Sequence, residues 1–206
     1  QMIDLQHRIF LRTRDGRLHH ATLPAHTATV LDIGCGTGQW ACSFADAHPD
    51  ITVVGADLRP PTPGPGNPAN CAFVRCDAER EWGEVDRVLG GRRFDYIHAR
   101  LLTLSAEGWV RFFKQCAARL APEGVVEVTN ACLPRGSKAG FTAKTSAFVR
   151  YQQLLLEASM RSGDDWETSR LHTPRIREAG LVLEEQAFLE WPVGPWAKTE
   201  RERAIG

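Results

Sequence analysis

The stretch at residues 30–40, VLDIGCGTGQW, constrains this chain more than any other. An apolar run that reads as a strand ends in Asp32. Gly34, Gly36 and Gly38 then alternate with small residues, and helix-forming residues follow. Glycines at a strand-to-helix turn let the backbone bend sharply and let a ligand lie against the main chain. Such a turn is the hinge of a βαβ unit, so the rest of the chain should supply strands and helices in alternation.

It does. Residues 28–33, 52–57, 72–75, 94–98, 125–129 and 181–189 read as strands. The best helix is 108–120, where Trp109, Phe112, Phe113, Cys116, Ala117 and Leu120 share one face. Pro122-Glu123-Gly124 should stop it and turn the chain into the next strand. Residues 60–70, PPTPGPGNPAN, form a loop inserted between two strands. The expected fold is α/β: a Rossmann-like, doubly wound, mainly parallel sheet with helices on both faces. With 206 residues the chain makes one such domain. Its boundaries are set at 27–206, and residues 1–26 form a helical lid segment in which Met2, Leu5 and Ile9 recur at helical spacing.

Composition excludes several functions. Lys and Arg number 25, as do Asp and Glu, so the basic excess of a nucleic-acid-gripping domain is missing. No apolar run reaches the length of a membrane span, and no signal sequence opens the chain, so a cytoplasmic location is the default, with the nucleus as its alternative. The six cysteines include no Cys-x-x-Cys pair and read as small buried thiols. His7, His19 and His20 lack a matching carboxylate spacing, so no metal site is assigned.

The glycine turn admits two ligand classes. A dinucleotide fold wants G-x-G-x-x-G, but the third glycine position is Gln39, and the glycines fall as G-x-G-x-G. Asp32 would sit badly beneath a pyrophosphate and well beneath a cationic amino-acid moiety, which favours the methionine end of S-adenosylmethionine. Asp57, at the tip of the second strand, suits the two ribose hydroxyls of either ligand, or is a simple turn residue. Asp77, after the third strand, suits an adenine amino group, or caps a helix starting at Ala78.

In that order and at those spacings, VLDIGCGTG, GADLRP, CDAE, FDYIHAR and RLAPEGVVEVTN resemble the motifs of class I S-adenosylmethionine-dependent methyltransferases over residues 27–130. Gln6-His7, Ile97-His98-Ala99-Arg100 and Pro192, Gly194 and Trp196 are similar to the fungal LaeA-like group. The resemblance implies cofactor contacts at Asp32, Gly34, Gly36, Gly38, Asp57, Leu58, Asp77 and Ala78, with Cys35, Trp40 and Cys76 beside them and His98 to Arg100 bordering the methyl group. Relatives end in a further, usually antiparallel, strand after the region of Pro192, Gly194 and Trp196, and this sequence has no candidate for it there. The sheet is therefore expected to lack its last strand, as a fragment would, or to close in another way.

The sulfonium methyl is already electrophilic, so such a protein chiefly places an acceptor in line with it and excludes water. A hydroxyl acceptor needs a base, and His98 is the candidate; its alternative is a satisfied histidine in the wall of the site. Arg100 has three possible partners: an acidic substrate, the methionine carboxylate, or Asp95. The acceptor should approach across the loops holding His98, Arg100, Asn130 and Ala131, with Gln6, His7 and Phe10 above them as a lid or a packed helix. Methyl transfer to a small organic acceptor, such as a secondary metabolite, is the leading function. A LaeA-like regulator acting through protein partners is the alternative, and a nicotinamide oxidoreductase the third. Self-association through an exposed sheet edge is expected.

Overall fold

The computed structural model describes residues 2–80, 82–131, 142–163, 172–192 and 199–205. Its elements run α1 (Met2–Thr13), β1 (Thr29–Ile33), α2 (Gln39–Ala47), β2 (Thr52–Asp57), β3 (Cys71–Arg75), α3 (Gly83–Leu89), β4 (Phe94–Arg100), α4 (Ala106–Arg119), β5 (Leu120–Thr129), α5 (Ala147–Ser162), α6 (His172–Glu178) and α7 (Glu200–Ile205). Five strands form one sheet in the order β3-β2-β1-β4-β5, and every ladder is parallel. The strand order reverses between β1 and β4, which opens a crevice at their carboxyl ends.

Period-two alternation assigns each strand residue to a face. Leu31, Ile33, Val54, Ala56, Ile97 and Ala99 pack with α3 and α4 in the larger cluster, around Trp82, Trp109, Phe112 and Phe113. Val30, Val53 and Tyr96 pack on the opposite face, against Trp40, Ala41, Phe44 and Ala45 of α2. Buried on both faces, β1 carries no exposed residue and reads as a near-continuous apolar run broken by Asp32. That break marks the site.

Three expectations are adjusted. The α4 helix starts earlier than expected, because the Ser105 side chain accepts from the Gly108 amide and caps it. Pro122-Glu123-Gly124 lies inside β5 as an irregularity in the β4 ladder, with Glu123 at a φ of 65°. Residues 181–189 do not form a strand. They carry no ladder, and Val182 is 83% exposed and Phe188 62%. An apolar pattern cannot become a strand without a neighbour to take its hydrogen bonds, and none of the described residues offers one there. The 60–70 loop is present as expected, and Asn70 closes it by donating through Nδ2 to the carbonyls of Ala45, His48 and Ile51.

Candidate functional site

Asp32 and His98 are direct partners across the β1–β4 ladder, so their side chains emerge side by side on the α2 face. Asp32 Oδ1 accepts from His98 Nδ1 at 2.8 Å, and both side chains are buried. The imidazole lies flat against the Trp40 indole, with ring centroids 3.7 Å apart and planes 5° apart. Trp40 is anchored in turn, its Nε1 donating to the Leu18 carbonyl at 2.7 Å. A proton held on Nδ1 by a carboxylate leaves Nε2 of the neutral ring as the basic nitrogen. Asp32 Oδ2 and His98 Nε2 are both buried without a hydrogen-bond partner among the described residues.

The glycine turn sits above this pair. The amides of Gly34 and Cys35 donate to the Ala56 carbonyl at 2.7 and 3.1 Å, which ties the turn to β2. Gly34 has a φ of 75°, and a Cβ there would overlap the Leu102 side chain, so only glycine fits. The Gly36 amide donates to Asp57 Oδ2 at 2.9 Å, while the Arg59 amide donates to Oδ1 at 2.9 Å. Asp57 is thus a turn residue and a cleft residue at once. Asp77 Oδ1 accepts from the Glu79 amide at 2.9 Å, a local turn and not a helix cap, since α3 begins only at Gly83.

Two adjacent cavities run along this edge. One, of about 260 Å³, is lined by Asp32, Gly34, Cys35, Gly36, Trp40, Asp57, His98 and Arg100, with Gln6 of α1 above. The other, of about 320 Å³, is lined by Asp57, Leu58, Cys76, Asp77 and Ala78, with Glu79 and Leu104. Gly34, Asp57, Leu102 and Thr103 belong to both. Together the cavities have the size of a ligand site. Gly38 lines neither. Its φ of 77° at the N-cap of α2, and the Phe73 ring 2.6 Å from where its Cβ would stand, give it a packing role. Burial, followed by the Asp32 and Asp57 carboxylates, pushes the Cys35 thiol up, away from reactive thiolate chemistry.

Arg100 is not paired with Asp95, which instead accepts from the amides of Ala28 and Thr29 at the opposite end of the sheet. Its neighbours are His7, whose Nδ1 is 3.2 Å from an Arg100 nitrogen, and Phe10, whose ring centre lies 4.6 Å below the guanidinium. The three histidines considered for a metal lie apart in their bonding: His7 meets Arg100, His19 Nδ1 meets the Ala21 carbonyl, and His20 Nε2 meets Glu185. Asn130 follows β5 with its Oδ1 buried, whereas Gly194, Trp196 and Cys132 lie outside the described residues.

Sequence reasoning passed over Leu102, Thr103 and Glu127. Leu102 lies across the glycine turn because Leu101 before it has a φ of 55°, a conformation that leucine seldom adopts and that nothing in the sequence announces. Glu127 pairs with His98 in the β4–β5 ladder, extending the buried polar row Asp32–His98 to a third strand. Its Oε2 accepts from the Tyr96 hydroxyl and the amides of His20 and Ala21, and its Oε1 from Arg14 at 2.7 Å. A lone acid at a core-facing position of a strand was the available signal. No helix among the described residues is long and apolar enough to cross a membrane.

Comparison with known proteins agrees with this architecture. The chain is 34% identical over 205 residues to the methyltransferase pytC of Aspergillus terreus, covering 99% of this chain and 61% of that protein. It is 30% identical over 208 residues to the secondary metabolism regulator laeA of Aspergillus fumigatus, covering 98% of this chain and 53% of that protein. The chain therefore spans between half and two thirds of these relatives. The crystal structure of CalO1, a methyltransferase in calicheamicin biosynthesis with SAH bound, superposes with a TM-score of 0.58 at 22% identity, over 89% of this chain and 50% of that one. That likeness shows the Rossmann-like fold. A family profile described as a methyltransferase domain matches residues 3–177, and with most of its length inside that match the chain belongs to the methyltransferase-domain family.

Proposed function

We propose that the protein binds S-adenosylmethionine along the cleft and transfers its methyl group to a small organic acceptor. One observation carries this reading: Asp32, Asp57 and Asp77, at or just past the ends of β1, β2 and β3, line two adjacent cavities that share Gly34, Asp57, Leu102 and Thr103. When bound, the cofactor supplies an electrophilic methyl group. Asp57 faces the ribose position with lone pairs left over after its two amide bonds, and Asp77 with Leu58, Cys76 and Ala78 forms the adenine end. Asp32 Oδ2, Gly34, Cys35, Gly36 and Trp40 line the amino-acid end. His98, locked by Asp32 and stacked on Trp40, holds Nε2 ready to take a proton from a hydroxyl acceptor.

Titration calorimetry with S-adenosylhomocysteine tests the cofactor; absence of binding would sink the reading. Turnover is followed as S-adenosylhomocysteine release from a panel of hydroxyl- and amine-bearing small molecules. If His98 is the base, His98→Gln should lower kcat by about 10²–10⁴, with cofactor affinity kept. Equal kcat in both proteins would reject that role. The second reading, a regulator acting through a protein partner, is favoured by the likeness to laeA. It predicts cofactor binding with no turnover anywhere in the panel.

A further inference from the structure

We propose that Arg100 is the carboxylate-binding group of the cleft, and that α1 is a fixed brace for it and not a lid; the inference rests on reading the cleft as a site for an amino-acid-bearing nucleoside. Arg100 ends β4 one step beyond the Ala99–Ile33 pair and lines the same cavity as Asp32. These two opposite charges act on each other through space but form no ion pair. Asp32 gives one oxygen to His98 and leaves the other without a partner. Arg100 has no carboxylate within ion-pair distance among the described residues; its contacts are a histidine and a phenylalanine.

Those contacts fix the guanidinium without satisfying its charge. An arginine only donates, so His7 Nδ1 accepts, and the ring proton of His7 sits on Nε2, facing Ser43 Oγ at 3.5 Å. Burial, then the nearby Arg100, pulls the His7 pKa down and keeps the ring neutral, so it does not compete for an anion. Phe10 lies against one face of the guanidinium and is itself held by Trp191, ring centres 4.8 Å apart. His7 and Phe10 are both buried. One face and one N–H edge of the fork are thus occupied, which leaves the other donors for a planar, bidentate acceptor. A half-buried cation without a direct ion-pair partner costs solvation free energy, which a bound anion recovers. An acid and a cation kept apart in one cavity match the two ends of an α-amino acid, its ammonium on Asp32 and its carboxylate on Arg100. A carboxylate on the acceptor has the same chemistry and is the other possible source.

The test compares three ligands on the wild-type protein by calorimetry: S-adenosylmethionine, its decarboxylated form, and methylthioadenosine, which lacks the amino-acid end. The expected result is a loss of about tenfold or more on removing the carboxylate, as befits charge-assisted hydrogen bonds. Arg100→Gln should bring the first two ligands within about twofold of each other, Arg100→Lys should restore part of the gap, and Phe10→Leu should narrow it, all with methylthioadenosine affinity unchanged. If the wild type does not discriminate, benzoate is titrated into the protein saturated with S-adenosylhomocysteine. Benzoate binding that Arg100→Gln abolishes assigns the subsite to the acceptor's carboxylate. Three equal affinities and no benzoate binding overturn the inference while leaving the nucleoside reading intact. A wild type that binds none of the three nucleosides removes that reading and this inference with it.

Discussion

Asp57 serves the backbone with both carboxylate oxygens, one to the Gly36 amide and one to the Arg59 amide, and still lines both halves of the cleft. Each oxygen keeps a second lone pair, which is what two neighbouring hydroxyls require. A charge-assisted contact of this kind is worth roughly 1.5–3 kcal/mol, so Asp57→Ala should weaken S-adenosylhomocysteine binding about tenfold or more. Calorimetry checks this under conditions where a thermal scan shows both proteins folded, and an unchanged Kd would refute the ribose assignment. Acids at strand ends were legible in the sequence because a carboxylate closing an apolar run before a glycine turn or loop has few packing reasons to be there. The engagement of His98 by Asp32 was not, because it depends on the β1–β4 register, which neither strand contains by itself. Gly38, in the same motif, has a packing reason of its own: a Cβ there would meet the Phe73 ring, and the residue stands at the start of α2.

Among the elements, β5 and the segment after α1 depend on each other through a single side chain. Burial alone would raise the Glu127 pKa. The Ala21 amide, Arg14, His98 and the His20 amide outweigh it and hold the carboxyl at about 2, against a usual 4.5. A depressed carboxyl contributes stability that is present above the unfolded-state pKa and is lost as pH falls through the folded one. The window is therefore pH 4.5 down to 2, and the shift is worth about 3 kcal/mol. Denaturant unfolding should show wild-type stability falling across that window by about this amount, while Glu127→Gln starts lower and falls much less. Parallel curves for the two proteins would mean that Glu127 does not hold the segment. The five strands and helices α1, α2 and α4 followed from periodicity and turn residues, with β1, β2 and β3 placed within a residue or so, whereas α3, α5, α6 and α7 were not expected from the sequence. The failure at 181–189 has a definite cause: strand formation is a property of a pair, and a pattern in one segment carries no information about whether its neighbour exists.

Across the whole molecule, apolar surface is distributed unevenly. The sheet is covered on both faces, yet α5 exposes Phe148, Tyr151 and Leu154, with Met160 at 74%, and the irregular segment after α6 exposes Val182, Phe188 and Leu189. Single exposed apolar residues are ordinary, but runs of large ones tend to be covered by another surface. The strand β5 is also an outer strand of the sheet, with hydrogen-bonding groups on its far side. Both features favour contact between copies of the chain. Light scattering should therefore show an apparent mass that rises with protein concentration, at roughly micromolar levels and above, as for modest apolar interfaces. Replacing Phe188 and Leu189 together by serine should reduce that rise without lowering the melting temperature, because side chains already in water contribute little to folding. If the substitution lowers the melting temperature instead, the two residues serve the fold. If the wild type scatters as a stable monomer at high concentration, the exposed runs do not bring copies together and the expectation of self-association is wrong.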